Sequence, residues 1–107
     1  MSKENPIVLI LTVGGSFQPI ISSIQDNNPN KIFFLCSDDI STTKGSWRLV
    51  NGKGKPCIPR NENNKPLPSI VNQLELNKND YEIIKIKEFD DLEKIYSRSI
   101  EIIKEIK

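Results

Sequence analysis

The residues best suited to chemistry form a short polar turn, Gly14, Gly15 and Ser16, which follows an apolar run and precedes Pro19. Adjacent glycines let a backbone approach a ligand closely and adopt positive φ angles. A helix that begins at Pro19 directs its free N–H groups and the positive end of its dipole at this turn, which favours an anion. The Ser16 hydroxyl and the Gln18 amide add hydrogen-bonding groups. The turn therefore predicts a site for a phosphate-bearing ligand, and the alternative is that the glycines only make a tight turn.

Other common forms of nucleotide chemistry are excluded. G-x-G-x-x-G is absent because Gly14 and Gly15 are adjacent, and Gly52 and Gly54 lack the upstream glycine of a G-x-x-x-x-G-K-[ST] loop. The chain has no histidine and only two cysteines, which excludes Ser/His and Cys/His nucleophile pairs and the usual zinc sites. We therefore predict no metal and no cofactor.

A second polar cluster, Ser37, Asp38 and Asp39, follows the apolar run that ends at Cys36. Ligands of open parallel sheets bind beyond the carboxyl ends of the strands, so Ser37 and Asp38 are expected to line the same site as Gly14. The two aspartates have a metal-binding or acid–base alternative, and a plainer one in which they cap the next turn. Cys36 is expected to be a buried, reduced thiol.

The middle of the chain, residues 40–67, loses periodicity and is rich in Gly, Pro, Asn and Lys, which indicates a long insert with a functional or mobile role. Trp47 is surrounded by the cations Lys44, Arg48, Lys53 and Lys55. They predict a basic flap over a polyanion, with Trp47 stacking on a base. The alternative places Trp47 in the core and the lysines in solvent. A hairpin is also expected here, with strands at 47–50 and 55–58 around a turn at 51–54.

The elements that position these residues alternate between strand and helix. Apolar runs predict strands at 6–13, 32–36 and 81–87, with the first buried in the middle of the sheet and the more alternating third near an edge. Helices are expected after Pro19, at 68–76 and after Asp90, where a capping box precedes an apolar stripe over 92–106. The order β-α-β-(long insert)-α-β-α predicts an α/β, Rossmann-like three-layer domain with a small parallel sheet.

Length and charge bound the remaining possibilities. The 107 residues suffice for a single domain, and a net charge of +1 gives no global attraction to nucleic acid or an anionic membrane. The apolar run at 7–13 is far shorter than the roughly 20 residues of a membrane span, and no signal peptide is evident. We therefore expect a cytoplasmic protein that does not bind membranes.

Two stretches of the chain resemble the start of CARF domains, the CRISPR-associated Rossmann-fold sensors of type III systems. These are residues 8–19 (VLILTVGGSFQP) and 31–37 (KIFFLCS), which are similar to the subgroup with a T-V-G-G-S-x-x-P turn and a C-S pair. The resemblance extends more weakly through residues 69–76 and 81–84. The resemblance thus covers most of the chain, although its motifs are short. It implies that residues 1–107 form a single CARF-like domain.

The resemblance implies a nucleotide-binding homodimer that holds a cyclic oligoadenylate, commonly the tetramer or hexamer, across its two-fold axis and switches an effector domain or partner protein in antiviral defence. Carried over by position, the residues that contact the ligand are Gly14, Gly15, Ser16, Phe17 and Gln18. Ser37 and Asp38 then line the pocket. The chain lacks the second glycine-rich turn, of T-G-G-T-K type, that such domains usually carry, which predicts a C-terminally truncated or a reduced, stand-alone version.

Two other functions remain open at this point. One is a metal-independent ring nuclease that positions a ribose 2′-OH against the adjacent phosphate, with Ser16 or Lys44 orienting the hydroxyl or stabilising charge. The other is a single-stranded nucleic-acid-binding module, whose affinity would fall steeply with salt.

Overall fold

A computed structural model describes residues 6–14, 16–39, 44–59, 65–86, 97 and 99–104 of the chain. Its strands β1 (Val8–Val13), β2 (Lys31–Ser37) and β3 (Tyr81–Ile86) form one parallel sheet in the order β1-β2-β3. Helix α1 (Gln18–Asn27) joins β1 to β2, whereas α2 (Trp47–Asn51), α3 (Ile70–Leu74) and a 3-10 turn (Lys78–Asp80) precede β3. Residues 99–104 are also helical. The described chain is therefore α/β, with a small, open parallel sheet that is compatible with a Rossmann-like fold.

Strand β2 is the central and most buried strand of the sheet. Residues 32–36 are all buried, and their side chains alternate between two apolar clusters. Ile32, Phe34 and Cys36 face the cluster that contains α1, α2 and α3. Phe33 and Leu35 face a second cluster with Ile86 and with Ile102 of the helical segment 99–104. Helical residues thus cover both faces of the sheet.

The expected position of the first strand is wrong. Among the described residues β1 pairs only with β2, so it lies at an edge of the sheet, and most of its side chains are only half-buried. A continuous apolar run is typical of any strand in a parallel sheet with covered faces, and it does not distinguish an edge from the centre. The expected edge position of β3 is confirmed.

Helix α1 begins and ends where its sequence indicates. Pro19 lies in its first turn, where a missing N–H costs nothing. Asn28 then adopts a left-handed conformation, with φ of 45°, and its N–H donates to the Ile24 carbonyl at 2.8 Å. Asn30, which precedes β2, exchanges hydrogen bonds with Ile7, at 2.7 Å through its N–H and 2.8 Å through Oδ1.

The hairpin expected in the middle segment is wrong. Residues 47–51 form helix α2, whose Val50 is fully buried, and Gly52 ends the helix by donating to the Arg48 carbonyl at 2.8 Å. Cys57 and Leu67 then form an isolated antiparallel bridge. The segment is therefore not one irregular insert in its described part. Packing against the core selects a helix for a sequence whose β-branched and aromatic residues also suit a strand.

The remaining expectations for helices are met in part. The helix expected at 68–76 is found as the shorter α3, and the Ser69 hydroxyl caps it by accepting from the Asn72 N–H at 3.4 Å. Lys87, the proposed cap at Asp90, and Leu92, Ile95, Tyr96 and Ile106 of the apolar stripe lie outside the described residues. Within the described part of that stripe, Ile102 is buried and Ile103 is exposed.

Candidate functional site

A cleft of about 710 Å³ opens at the carboxyl ends of β1 and β2. This volume is within the range of small-molecule sites. Open parallel sheets bind their ligands at this edge, and the cleft brings together the two polar turns that the sequence singles out. Its described lining residues are Val13, Gly14, Ser37, Lys44, Gly45, Ser46, Arg48, Leu49, Gly52, Lys53, Pro56 and Ile58.

A reciprocal pair of serines joins the end of β2 to the start of α2. The Ser37 N–H donates to the Ser46 hydroxyl at 2.9 Å, and the Ser46 N–H donates to the Ser37 hydroxyl at 2.7 Å. Each hydroxyl thus satisfies a backbone donor that the end of a strand or the start of a helix leaves unpaired. This pairing fixes the wall of the cleft that carries Lys44 and Arg48.

Gly45 is the point of closest approach between that wall and β2. A Cβ on Gly45 would lie 2.7 Å from the Asp38 carbonyl carbon, closer still to the Ser37 carbonyl oxygen, and 2.8 Å from the Trp47 side chain. Two of these neighbours are backbone atoms, which cannot move aside cheaply. The absence of a side chain at Gly45 is therefore a requirement of the fold.

Gly14 is different, because nothing in its described surroundings needs a glycine. A Cβ there would meet no atom within 4 Å, and Gly14 is not among the described residues with positive φ. The expectation of a positive φ is thus not met at Gly14. What the missing side chain provides is open space on the cleft wall at the end of β1.

The described lining of the cleft carries cations and no acidic residue. Lys44 and Lys53 are exposed, and no hydrogen bond or ion pair engages either within the described residues. Arg48 is half-exposed and pairs with Asp39 at 2.6 Å. The lining also includes apolar side chains, which belong to Leu49, Pro56 and Ile58. Ile58 is 67% exposed. The cleft therefore combines spare positive charge with an apolar surface, which suits an anionic ligand that carries an apolar ring.

Asp39 organises the chain beside the cleft. Its Oδ1 accepts from the Gly45 N–H at 2.7 Å and from the Trp47 indole N–H at 3.2 Å, and its Oδ2 accepts from Arg48. The hydrogen bond from Gly45, followed by that from Arg48, holds the pKa of this carboxyl below its usual range. The plainer expectation, that the aspartates cap the following turn, stays a prediction, since Asp39 bonds to the Gly45 N–H and α2 itself has no side-chain cap. Asp38 acts locally, since its Oδ1 accepts from the Asp39 N–H at 2.8 Å.

Trp47 is half-buried and packs against the core cluster. Its ring centroid lies 4.1 Å from Lys85 Nζ and 4.6 Å from Arg48 Cζ, and these are cation–π contacts. The ring is thus already engaged with two cations and does not line the cleft. Stacking of Trp47 on a base stays a prediction.

The structure brings together part of the residue set expected from the sequence. Gly14, Ser37, Lys44 and Arg48 line the cleft. Phe17 belongs to the core, at 5% exposure, and Gly15 lies outside the described residues. The expected residues that are described but do not line the cleft are Ser16, Phe17, Gln18, Asp38 and Trp47.

Sequence reasoning missed several cleft residues. Gly45 and Ser46 act through a close approach and through hydrogen bonds across the chain, and no local spacing signals such contacts. Pro56 and Ile58 lie in the segment that was expected to form a hairpin strand. The basic flap predicted from Lys44, Arg48, Lys53 and Lys55 is the signal that indicated a basic surface here.

The cysteines and acids add no reactive centre to the described chain. Cys36 and Cys57 are both free and buried, as expected for Cys36, and burial raises the pKa of the Cys36 thiol to about 12. Such a thiol stays protonated at neutral pH and is a poor nucleophile. The described residues hold no group of His, Cys, Asp and Glu side chains that would bind a metal ion.

No protein-family model matches the chain, and no curated protein or solved structure shows significant similarity to it. None of the helices in the described part combines the length and apolarity that crossing a bilayer requires.

Proposed function

We propose that this chain is a CARF-like sensor that binds a cyclic oligoadenylate in the cleft at the carboxyl ends of β1 and β2, in type III CRISPR antiviral defence. One observation carries the proposal. Gly14 and Ser37, which belong to the two motifs of the resemblance, line one cleft together with Lys44, Arg48 and Lys53, and its described lining contains no acid.

The chemistry of the cleft supports a ligand of this class. Each phosphodiester of a cyclic oligoadenylate carries a negative charge, which Lys44 and Lys53 would meet as point charges and Arg48 as a planar donor. Adenine has an apolar face, and Pro56 and Ile58 provide an apolar wall. The open space beside Gly14 allows a phosphate or ribose to approach the backbone at the end of β1.

The proposal includes the homodimer that the resemblance implies. A cyclic tetra- or hexa-adenylate has repeating phosphates, so two copies of the cleft related by a two-fold axis would each take half of the ring. Binding would then change the dimer interface and switch an effector. This arrangement predicts one ring for two chains.

Isothermal titration with cyclic tri-, tetra- and hexa-adenylate, and with linear oligoadenylate of the same length, tests the proposal. We expect one ring to bind at one per two chains, and Lys44→Ala to weaken it about tenfold, as expected for losing a charged contact. Lys78→Ala, which removes an exposed lysine from the other end of the sheet, is the matched control and should bind like the wild type.

The same titration separates the alternatives. Turnover of a bound ring to a linear product would identify a ring nuclease, for which Lys44 in the cleft is the available charge-stabilising group. Preferential binding of the linear strand, with a steep salt dependence, would identify a single-stranded nucleic-acid-binding module instead. Binding of no ring by the folded wild-type chain would contradict the proposed function.

A further inference from the structure

The carboxylate of Asp39 joins three residues beside the cleft. It accepts hydrogen bonds from the Gly45 backbone, the Trp47 indole and the Arg48 guanidinium. Its Oδ1 accepts the hydrogen bonds from Gly45 and Trp47, whereas its Oδ2 accepts the one from Arg48. Asp39 does not itself line the cleft, but Gly45 and Arg48 do.

Arg48 is held by Asp39 through one nitrogen only. Its Nη2 lies 2.6 Å from Asp39 Oδ2, and its Nε is buried without a hydrogen-bond partner among the described residues. An arginine has five N–H donors in a rigid plane, so pairing through one nitrogen uses only part of them. An anion with several oxygens is the partner that a planar set of spare donors recognises best.

Trp47 is connected to the same pair. Its ring centroid is 4.6 Å from Arg48 Cζ, and its indole N–H donates to the carboxylate that holds Arg48. It is the single tryptophan of the chain. Any change in how Arg48 is held therefore changes the surroundings of one fluorophore.

We propose that Asp39 is a positioning residue for the cleft: it holds Arg48 in the orientation that binds a phosphate group, and Trp47 reports the occupancy of that arginine. The inference rests on the proposed function only in requiring that the cleft binds a phosphate-bearing anion. It does not depend on the anion being cyclic or on its containing adenine.

Positioning and simple electrostatics predict opposite results for Asp39→Asn. The substitution keeps the size of the side chain but removes a negative charge next to the cleft, and electrostatics alone would then tighten anion binding. The Asp39–Arg48 pair is about two-fifths exposed on each side, so solvent screens that charge effect. Loss of the fixed guanidinium should dominate, and binding should weaken.

The experiment titrates inorganic pyrophosphate into the folded chain and follows both heat and Trp47 fluorescence. In the wild type we expect a saturable change in emission. In Asp39→Asn we expect affinity to fall about tenfold, the size of a lost charge-assisted contact, and the emission of the free protein to shift. Asp26→Asn makes the same chemical change on the exposed side of α1 and should match the wild type.

Either direction of the result is decisive. Equal or tighter pyrophosphate binding by a folded Asp39→Asn protein overturns the inference. If Asp39→Asn does not fold, Arg48→Lys decides, because it keeps the charge but not the planar donors; binding by that variant at wild-type strength also overturns it. Asp39-dependent binding of pyrophosphate without binding of any cyclic oligoadenylate would support this inference and contradict the proposed function.

Discussion

The two ends of the sheet carry clefts of different chemistry. The carboxyl ends of β1 and β2 open into the cleft of about 710 Å³ with Lys44, Arg48 and Lys53, whereas the amino ends border a second cleft of about 400 Å³. The described lining of the second cleft includes no cation, and its one charged residue is Asp80.

Two polar side chains of the amino-terminal end are used within the fold. Asn30 Oδ1 accepts from the Ile7 N–H at 2.8 Å, and Asp80 Oδ2 accepts from the Asn77 N–H at 3.3 Å. At the carboxyl-terminal end Lys44 and Lys53 have no such engagement among the described residues. The comparison teaches that spare charge, rather than the presence of a depression, separates a candidate binding site from a structural junction.

The largest expected effect at the carboxyl-terminal end is on stability. Gly45→Ala would drive a methyl group against the backbone of Ser37 and Asp38, and we expect a loss of roughly 2–3 kcal/mol in the free energy of unfolding, as for other overpacked sites. Urea denaturation measures it. Gly14→Ala is the matched control, since its methyl meets open space; equal losses in the two variants would show that Gly45 is not required by close approach.

Reversal of one lysine charge should lower the affinity for an anion at the carboxyl-terminal end of the sheet but not at the amino-terminal end. Lys53→Glu places an anion on the wall of the cationic cleft, and we expect the affinity for pyrophosphate to fall about tenfold or more. Lys78→Glu makes the same change in the 3-10 turn next to Asp80 and should leave the affinity within about twofold. Similar losses in both would indicate attraction to the whole protein rather than to the cleft.

The buried thiol at the end of β2 should make the free energy of unfolding fall in alkaline solution. Cys36 precedes Ser37 of the cleft, and its buried thiol has a pKa of about 12 against a usual 9.0. Above pH 9 the unfolded chain ionises this thiol and the folded chain does not, so its contribution to stability is complete below pH 9 and is lost as pH rises toward 12. We expect about 1.4 kcal/mol of the free energy of unfolding to be lost by pH 10.

Denaturation of the wild type and of Cys36→Ala at pH 8 and pH 10 checks this effect. Tyrosine and lysine ionisation is common to both proteins, so the difference between their pH slopes isolates Cys36. Parallel slopes would contradict a protonated, buried Cys36.

The smallest expected effect concerns the open space at Gly14. Gly14→Leu fills part of the cleft at the end of β1, where a Cβ meets no atom within 4 Å. The free energy of unfolding should stay within about 0.5 kcal/mol of the wild type, while the affinity for the ligand falls severalfold. Binding at full strength by the leucine variant would place the ligand away from β1.

Much of the fold could be predicted from local sequence, because apolar runs and turn residues act on their immediate neighbours. The strands, the start of α1 at Pro19 and its end before Asn28 follow from such signals. The centre of the sheet could not be predicted in this way, since β1 and β2 are equally apolar and only their pairing with β3 makes β2 central.

The site could be predicted only where it coincides with the ends of strands. Gly14 and Ser37 follow apolar runs, and that position is visible in the sequence. Asp39 and Ser46 depend on contacts across six to nine residues, and α2 depends on the burial of Val50. Such contacts are properties of the folded chain, so Trp47 and Arg48 were expected in a flap and are found in the first turn of α2.

The most direct test of the central claim, that the cationic cleft is the ligand site, is an NMR titration of the ¹⁵N-labelled chain with cyclic tetra- and hexa-adenylate. The account predicts saturable shifts of the amide signals of Gly14, Ser37 and Gly45, with those of Asn28 and Asn30 at the opposite end of the sheet unchanged. Shifts confined to Asn28 and Asn30, or no saturable shift with either ring, would contradict it.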